Sequence, residues 1–264
     1  LMRFSTEMRG SVMRAAGLIS LVANLLYPAA VCANAGMENI AYSAKSAGMG
    51  GTSIAVGDDT SVMNTTPAAR SKIGGRRIDM NLETMFPMFS FENPENDTDG
   101  NHPIYLIPSA GLVWHDPESR WSFGVGMYNE GGTGTDYGPL RVNNDVMGPG
   151  IGITDIEYYS QFGYMKVTPT VAYTLTDSLS VALSPNAGYS TMRMKMPFYE
   201  PSMNRFWAVD MDGDDISLSA GVGLLYKPSD DLGFGIAYAT PTDIDIKGDV
   251  TMTAPTGDIP GMPQ

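Results

Sequence analysis

Few side chains in this sequence have a type and spacing that could do covalent chemistry. The two histidines, His102 and His115, are isolated, and the one cysteine, Cys32, lies within the first 35 residues. A catalytic nucleophile needs a base within reach and an acid to orient that base. No such set can be drawn from these residues, so no enzyme activity is expected. Asp210, Asp212, Asp214 and Asp215 flank Gly213 in the manner of a calcium loop, but the ordered ligand spacing and closing glutamate are missing. A solvated acidic loop is the better reading, and no metal or other cofactor is expected. No glycine-rich stretch has the phosphate-loop pattern. The 264 residues carry a net charge of −13, which argues against nucleic acid as a partner. The basic cluster Arg70, Lys72, Arg76 and Arg77 is too small to alter that.

The first 35 residues read as an address. Arg3, Arg9 and Arg14 precede an apolar stretch at 15–27, and Ala33-Asn34-Ala35 supplies a small-x-small cleavage pattern. A short anchor helix and a lipoprotein signal at Cys32 fit less well. Cleavage after residue 35 removes three Arg and one Glu, leaving a charge of −15 on the mature chain. Beyond it no apolar run reaches the length of about 18 residues that a membrane helix needs.

Period-two alternation carries the fold. In 121–128, Trp121, Phe123, Val125 and Met127 alternate with Ser122, Gly124 and Gly126. Residues 164–175, 179–190, 216–224 and 232–239 alternate in the same way, and 76–91 and 104–115 do so less cleanly, giving seven strands. Their connections alternate in length. Long loops at 92–103, 130–155 and 197–215 are separated by tight turns at 116–119, 176–177 and 227–231. Up-and-down outer-membrane barrels have this rhythm, whereas a secreted β-sandwich has no reason to sort its loops by length. The predicted fold class is therefore an all-β, transmembrane, antiparallel barrel. Its large apolar side chains face lipid and its Gly, Ser, Ala and Thr face inward. Trp114, Trp121, Tyr173, Tyr189 and Tyr226 suit interfacial girdles. Residues 36–70 are rich in small residues, with a helix start at 58–61 and a stop at Thr66-Pro67. Ile40, Met49, Ile54, Val56 and Met63 in that stretch need burial, so it is expected to form a compact plug rather than a flexible arm.

The order of motifs resembles the FadL/TodX family of outer-membrane transporters of long-chain fatty acids and aromatic hydrocarbons. Gly48, Met49, Gly50 and Gly51, then Asp58 and Asp59, then Asn64 and Pro67 are similar to that family's N-terminal hatch, although Thr66 stands where the family has Asn. Residues 123–128 are similar to its third strand, and 221–238 with 243–248 to a later strand–turn–strand ending in Lys-Gly. The resemblance implies a barrel of about 14 strands plugged by a hatch, with passive uptake of hydrophobic molecules through a lateral route. Its strand kink would fall at Gly124, Gly126, Gly131 and Gly132. The expected domains are a signal peptide at 1–35, the hatch at 36–70 and the first part of the barrel at 71–264. Seven strands are half of what such a barrel needs and the chain ends without a terminal aromatic, so a truncated sequence is expected. Phe198, Met203, Phe206 and Trp207 are the candidate ligand-capture loop. The expected partners are a hydrophobic ligand and the lipid and lipopolysaccharide of a Gram-negative outer membrane, with the protein a monomer. The alternative is a structural or adhesive surface barrel without transport.

Overall fold

Residues with alternating faces pair into one long antiparallel sheet. The computed structural model describes residues 37–56, 59–101, 104–144, 152–201, 205–229 and 231–254. The proposed leader, Asp58 and Met203 therefore lie outside the described residues. Strands β1 (Gly75–Met85), β4 (Tyr105–His115), β5 (Trp121–Asn143), β6 (Ile153–Thr176), β7 (Leu179–Glu200) and β8 (Arg205–Ser229) pair in that order. The short β9 (Leu232–Ala239) and β10 (Lys247–Thr253) both pair with β8, β9 along Gly221–Ser229 and β10 along Ala208–Asp214. A separate hairpin, β2 (Ser90–Asn93) and β3 (Asn96–Asp99), sits between β1 and β4. The seven positions across the sheet are those the alternation predicts.

The two faces sort as expected within the lower half of the strands. On β7, Ser180, Ser184, Asn186 and Ser190 are buried, while Leu183 and Tyr189 between them are exposed. On β8, Ser217 is buried while Ile216, Leu218, Val222 and Leu224 are exposed. Register then extends the outer face across neighbouring strands, pairing Leu183 with Val222 and Tyr189 with Ile216. The apolar outer run 181–189 spans about 27 Å along a strand, or roughly 20 Å at the usual tilt, close to the height of the apolar band of a membrane barrel. At the tight-turn end the aromatic residues gather outward. Trp121 lies 4.6 Å from Tyr173, Tyr226 stacks on Phe234, and Arg76 caps Trp114 at 5.4 Å.

The strands run far beyond that band, and here the expected loops are corrected. β5 to β8 hold 22 to 25 residues each, whereas a bilayer needs about 10. The stretches 130–155 and 197–215, read as long loops, are strand for most of their length, and 92–103 contains most of the β2–β3 hairpin. The physical reason is an inversion of the pattern. Above the band the outer positions become charged, as in Arg193, Lys195, Asp210 and Asp212. The inner positions become apolar, as in Met192, Met194, Met196 and Met211. The acidic loop at 210–215 is likewise strand, with Asp210, Asp212 and Asp214 on the outer face and Asp210 at 3.5 Å from Lys195.

The N-terminal segment lies on the inner face of the sheet. Helix α1 (Ala44–Gly48) is capped by Ser43, whose hydroxyl accepts from Ser46 N–H. Helix α2 (Val62–Thr65) ends at Thr66, and a 3₁₀ turn (Pro67–Lys72) follows. Val62, Met63, Ala68, Ala69 and Ile73 form a core with Val113, Tyr128 and Leu225, the large inward side chains of the wall. Of the apolar residues expected to be buried, Met63 is and Val56 is half-buried, but Ile40, Met49 and Ile54 are exposed in this chain. The small inner face of the wall is what admits the segment. A Cβ on Gly223 would meet Ala68 N and Pro67 Cδ, both at 3.1 Å. Gly223→Val should therefore lift the 3₁₀ turn from the wall at a cost of about 1–3 kcal/mol. Faster proteolysis of the N-terminal segment in a barrel that stays heat-modifiable on gels would show it.

Candidate functional site

The sheet opens between β4 and β5. These strands pair only from His115↔Ser122 up to Ala110↔Met127. Above Met127, β4 stays with β1 as far as Tyr105, and β5 continues along β6 to Asn143. The gap is closed again higher up by the segment containing the hairpin, where Asn101 donates to Asp136 Oδ1 at 2.9 Å and Asn96 exchanges hydrogen bonds with the Arg141 backbone. What remains is a slot of about 180 Å³ bordered by Tyr105, Leu106 and Ile107 on one side and by Gly131, Gly132 and Gly134 on the other.

The glycines of β5 make that border thin. Register along β6 shifts at Glu130 and again at Tyr137, two bulges that bend a strand and re-aim side chains. The backbone of Met37-Glu38-Asn39 crosses the inner side of the first bulge, where Glu38 bridges to Gly131 and Asn39 N–H donates to the Glu130 carbonyl at 2.8 Å. A Cβ on Gly131 would stand 1.7 Å from the Met37 carbonyl oxygen. Only glycine lets the two backbones meet. Gly126 is buried beneath the Tyr128 ring, Gly124 lies in the paired part of the wall opposite Val113, and Gly134 lies under the Tyr105 hydroxyl.

Glu130 keeps the inward parity of Ser122, Gly126 and Tyr128, while the bulge brings Gly131 to the same side, and Glu130 is the hub of the N-terminal segment. Asn64 Nδ2 donates to its Oε1 at 2.6 Å, Tyr42 donates to its Oε2 at 3.4 Å, and Lys166 on β6 pairs with Oε2 at 3.1 Å. Both partners of the ion pair are largely shielded, at 11% and 17% exposure. Burial, with the nearby carboxylates of Glu130 and Glu38, pushes the Tyr42 phenol well above its ordinary range, so it stays a protonated donor. Glu130, Lys166 and Tyr42 were not among the candidates from sequence. Parity alone put Glu130 on the inner face, since 121, 123, 125 and 127 carry the outward apolar side chains, but nothing local named its partners.

The predicted hatch residues are spread through the segment. Asp59 links the two helices, accepting from the Ser43 hydroxyl at 2.8 Å and from Ser61 N–H at 2.9 Å. Gly48 closes α1, and Met49, exposed, follows it. Gly50 and Gly51 have φ of 67° and 84°, a conformation other residues resist. Pro67 packs on Gly223. Asn64 donates to Glu130 at the first bulge of β5.

The predicted capture loop is largely a strand hairpin. Phe198 and Trp207 are a cross-strand pair on the face of Met196, Val209 and Met211, whereas Phe206 packs with its ring tilted against Tyr199 on the opposite face at 5.4 Å. Phe198 and Trp207 therefore do not share a surface with Phe206. The inner face of the upper strands, with Met192, Met194 and Met196 in line, is the continuous apolar lining instead.

Comparison with known proteins follows this architecture. Residues 26–262 match the family model described as outer membrane protein transport protein (OMPP1/FadL/TodX). No curated protein sequence matches. Among solved structures, the Ralstonia pickettii toluene transporter TbuX is 22% identical with a TM-score of 0.65, over 82% of this chain and 62% of its own. The P. putida toluene transporter TodX is 18% identical with a TM-score of 0.68, over 82% of this chain and 61% of its own. A Pseudomonas aeruginosa FadL homologue is 17% identical with a TM-score of 0.55, over 76% of this chain and 51% of its own. The chain thus spans about three fifths of the length of the toluene transporters whose fold it shares. The wall described above is part of a plugged antiparallel outer-membrane barrel, and the chain belongs to the FadL/TodX family of outer-membrane transport proteins.

Proposed function

We propose that the complete protein is a passive channel for small hydrophobic molecules, exported by cleavage after Ala35 and working as a monomer among outer-membrane lipid and lipopolysaccharide. The observation that carries this reading is the slot between β4 and β5, lined by glycines, by Leu106, Ile107 and Phe162 and by neutral polar groups, with no charged side chain among the described residues, beside the first bulge of β5. Ligand collects on the methionine-lined inner face of the upper strands, where flexible, polarisable thioethers adapt to varied shapes. It leaves sideways through the slot, and residues 36–70 act as the hatch beneath. An apolar cavity of about 150 Å³ holds one benzene ring, so a slot of about 180 Å³ favours single-ring hydrocarbons over a folded acyl chain. The toluene transporters among the structural relatives agree with that size.

The test is uptake of radiolabelled toluene and of a long-chain fatty acid by cells carrying the complete gene, with and without residues 36–70. Saturable toluene uptake that is altered by the deletion is expected. A correctly inserted barrel that transports neither would leave a display or adhesive role.

A further inference from the structure

The wall breaks a second time. β9 leaves β8 after Ala239↔Gly221, and β10 rejoins it at Lys247↔Asp214. Seven residues, 240–246, stand opposite six, 215–220, so one extra residue is accommodated. Both ends of the break are built. Thr240 N–H donates to the Ala220 carbonyl at 2.8 Å and its hydroxyl accepts from Ala220 N–H at 3.0 Å, while Asp215 accepts from Asp245 N–H at 3.0 Å. Pro241, which has no N–H to give a ladder, follows at once. The freed segment borders a cavity of about 490 Å³ with Glu130 and Lys166, so it bends inward. Ile216 and Leu218, at 73% and 76% exposure, are left on the outer face of the unpaired stretch. Irregular backbone at membrane depth is tolerated only where it is covered or lines a cavity. Both breaks lie on the same cross-strand rows, since Met127 leads through Val167 and Ala187 to Leu218.

The two openings differ in chemistry. The β4–β5 slot has no charged lining, whereas this cavity presents Lys166, Ser219, Thr240 and Thr242, with Ile244 and Phe162 as apolar wall. Lys166 is already engaged by Glu130, and Glu38 also lines the cavity. The surplus of carboxylates disfavours an anion. We infer that the gap between β8 and β9–β10 is a second lateral port, which binds a neutral amphiphile with its hydroxyl at Lys166, Ser219 and the threonines and its apolar part toward Ile216 and Leu218.

The complete gene product in nanodiscs would be photolabelled with a diazirine-bearing octanol and the labelled peptides mapped. Labelling at 216–219 and 240–244 is expected, competed by 1-octanol and not by octanoate or toluene. Ser219→Trp, which fills the cavity, and deletion of Pro241, which restores continuous register, should each lower it at least tenfold while toluene uptake is retained. Labelling that ignores both variants, or equal competition by octanoate, overturns the inference. Failure of wild-type toluene uptake would bear on the proposed route through the slot and leave this labelling result standing.

Discussion

Gly134→Trp should abolish most hydrocarbon uptake while leaving a folded barrel. A Cβ at this position already stands 2.3 Å from the Tyr105 hydroxyl and 3.0 Å from its ring. The obstacle is the tip of a side chain rather than backbone, so the structure can yield by moving Tyr105. An indole added there takes the volume of a slot of only about 180 Å³. If ligand leaves through the slot, initial rates of toluene uptake should fall at least tenfold, equivalent to about 1.4 kcal/mol or more on the barrier. Tyr105→Ala in the same background should restore part of the rate by returning space. Unchanged uptake in the single variant, with surface levels equal to wild type, would mean that ligand takes another path.

Glycine at this site illustrates which parts of the fold could be read directly. Alternation within 121–128, 164–175, 179–190 and 216–224 located the membrane-embedded halves of four strands, because lipid outside and small polar groups inside impose a strict period of two. The same rule failed above the bilayer. There Arg193, Lys195, Asp210 and Asp212 face outward and the methionines inward, so the expectation of apolar residues outside turned strand into apparent loop. The wall openings were harder to see. Gly131 and Gly132 marked a backbone able to bend, but the loss of pairing between β4 and β5 depends on where a different strand stops following. The break at 240–246 needs knowledge that two segments share one partner, which no local pattern contains. Glu130 was hidden for a related reason. Its parity placed it on the inner face, but its partners Tyr42, Asn64 and Lys166 are 88, 66 and 36 positions away in sequence.

That separation makes Glu130 the sharpest point at which to ask whether the bent strand and the N-terminal segment act together. Lys166→Met removes the cation paired, among the described residues, with a carboxylate that is only 17% exposed. Breaking a shielded pair from one side leaves an uncompensated charge, at a cost of about 3 kcal/mol. Glu130→Gln should also be costly, because it strands Lys166 and leaves one accepting oxygen where Asn64 and Tyr42 now use two. The double variant, Glu130→Gln with Lys166→Met, has no stranded charge and should recover most of the loss, so the cycle should show strong non-additivity. The readout is hydrogen exchange over residues 37–66, read beside the uptake rate. Lys166→Met should speed exchange there by roughly a hundredfold, as about 3 kcal/mol of lost closure allows, and should make the barrel leak small hydrophilic solutes. If exchange rises but uptake is unmoved, the ion pair only anchors the segment. If both move together and both recover in the double variant, the pair couples the position of the segment to the opening beside Gly131. Additive single effects would deny that coupling and reduce Glu130 to two unrelated contacts.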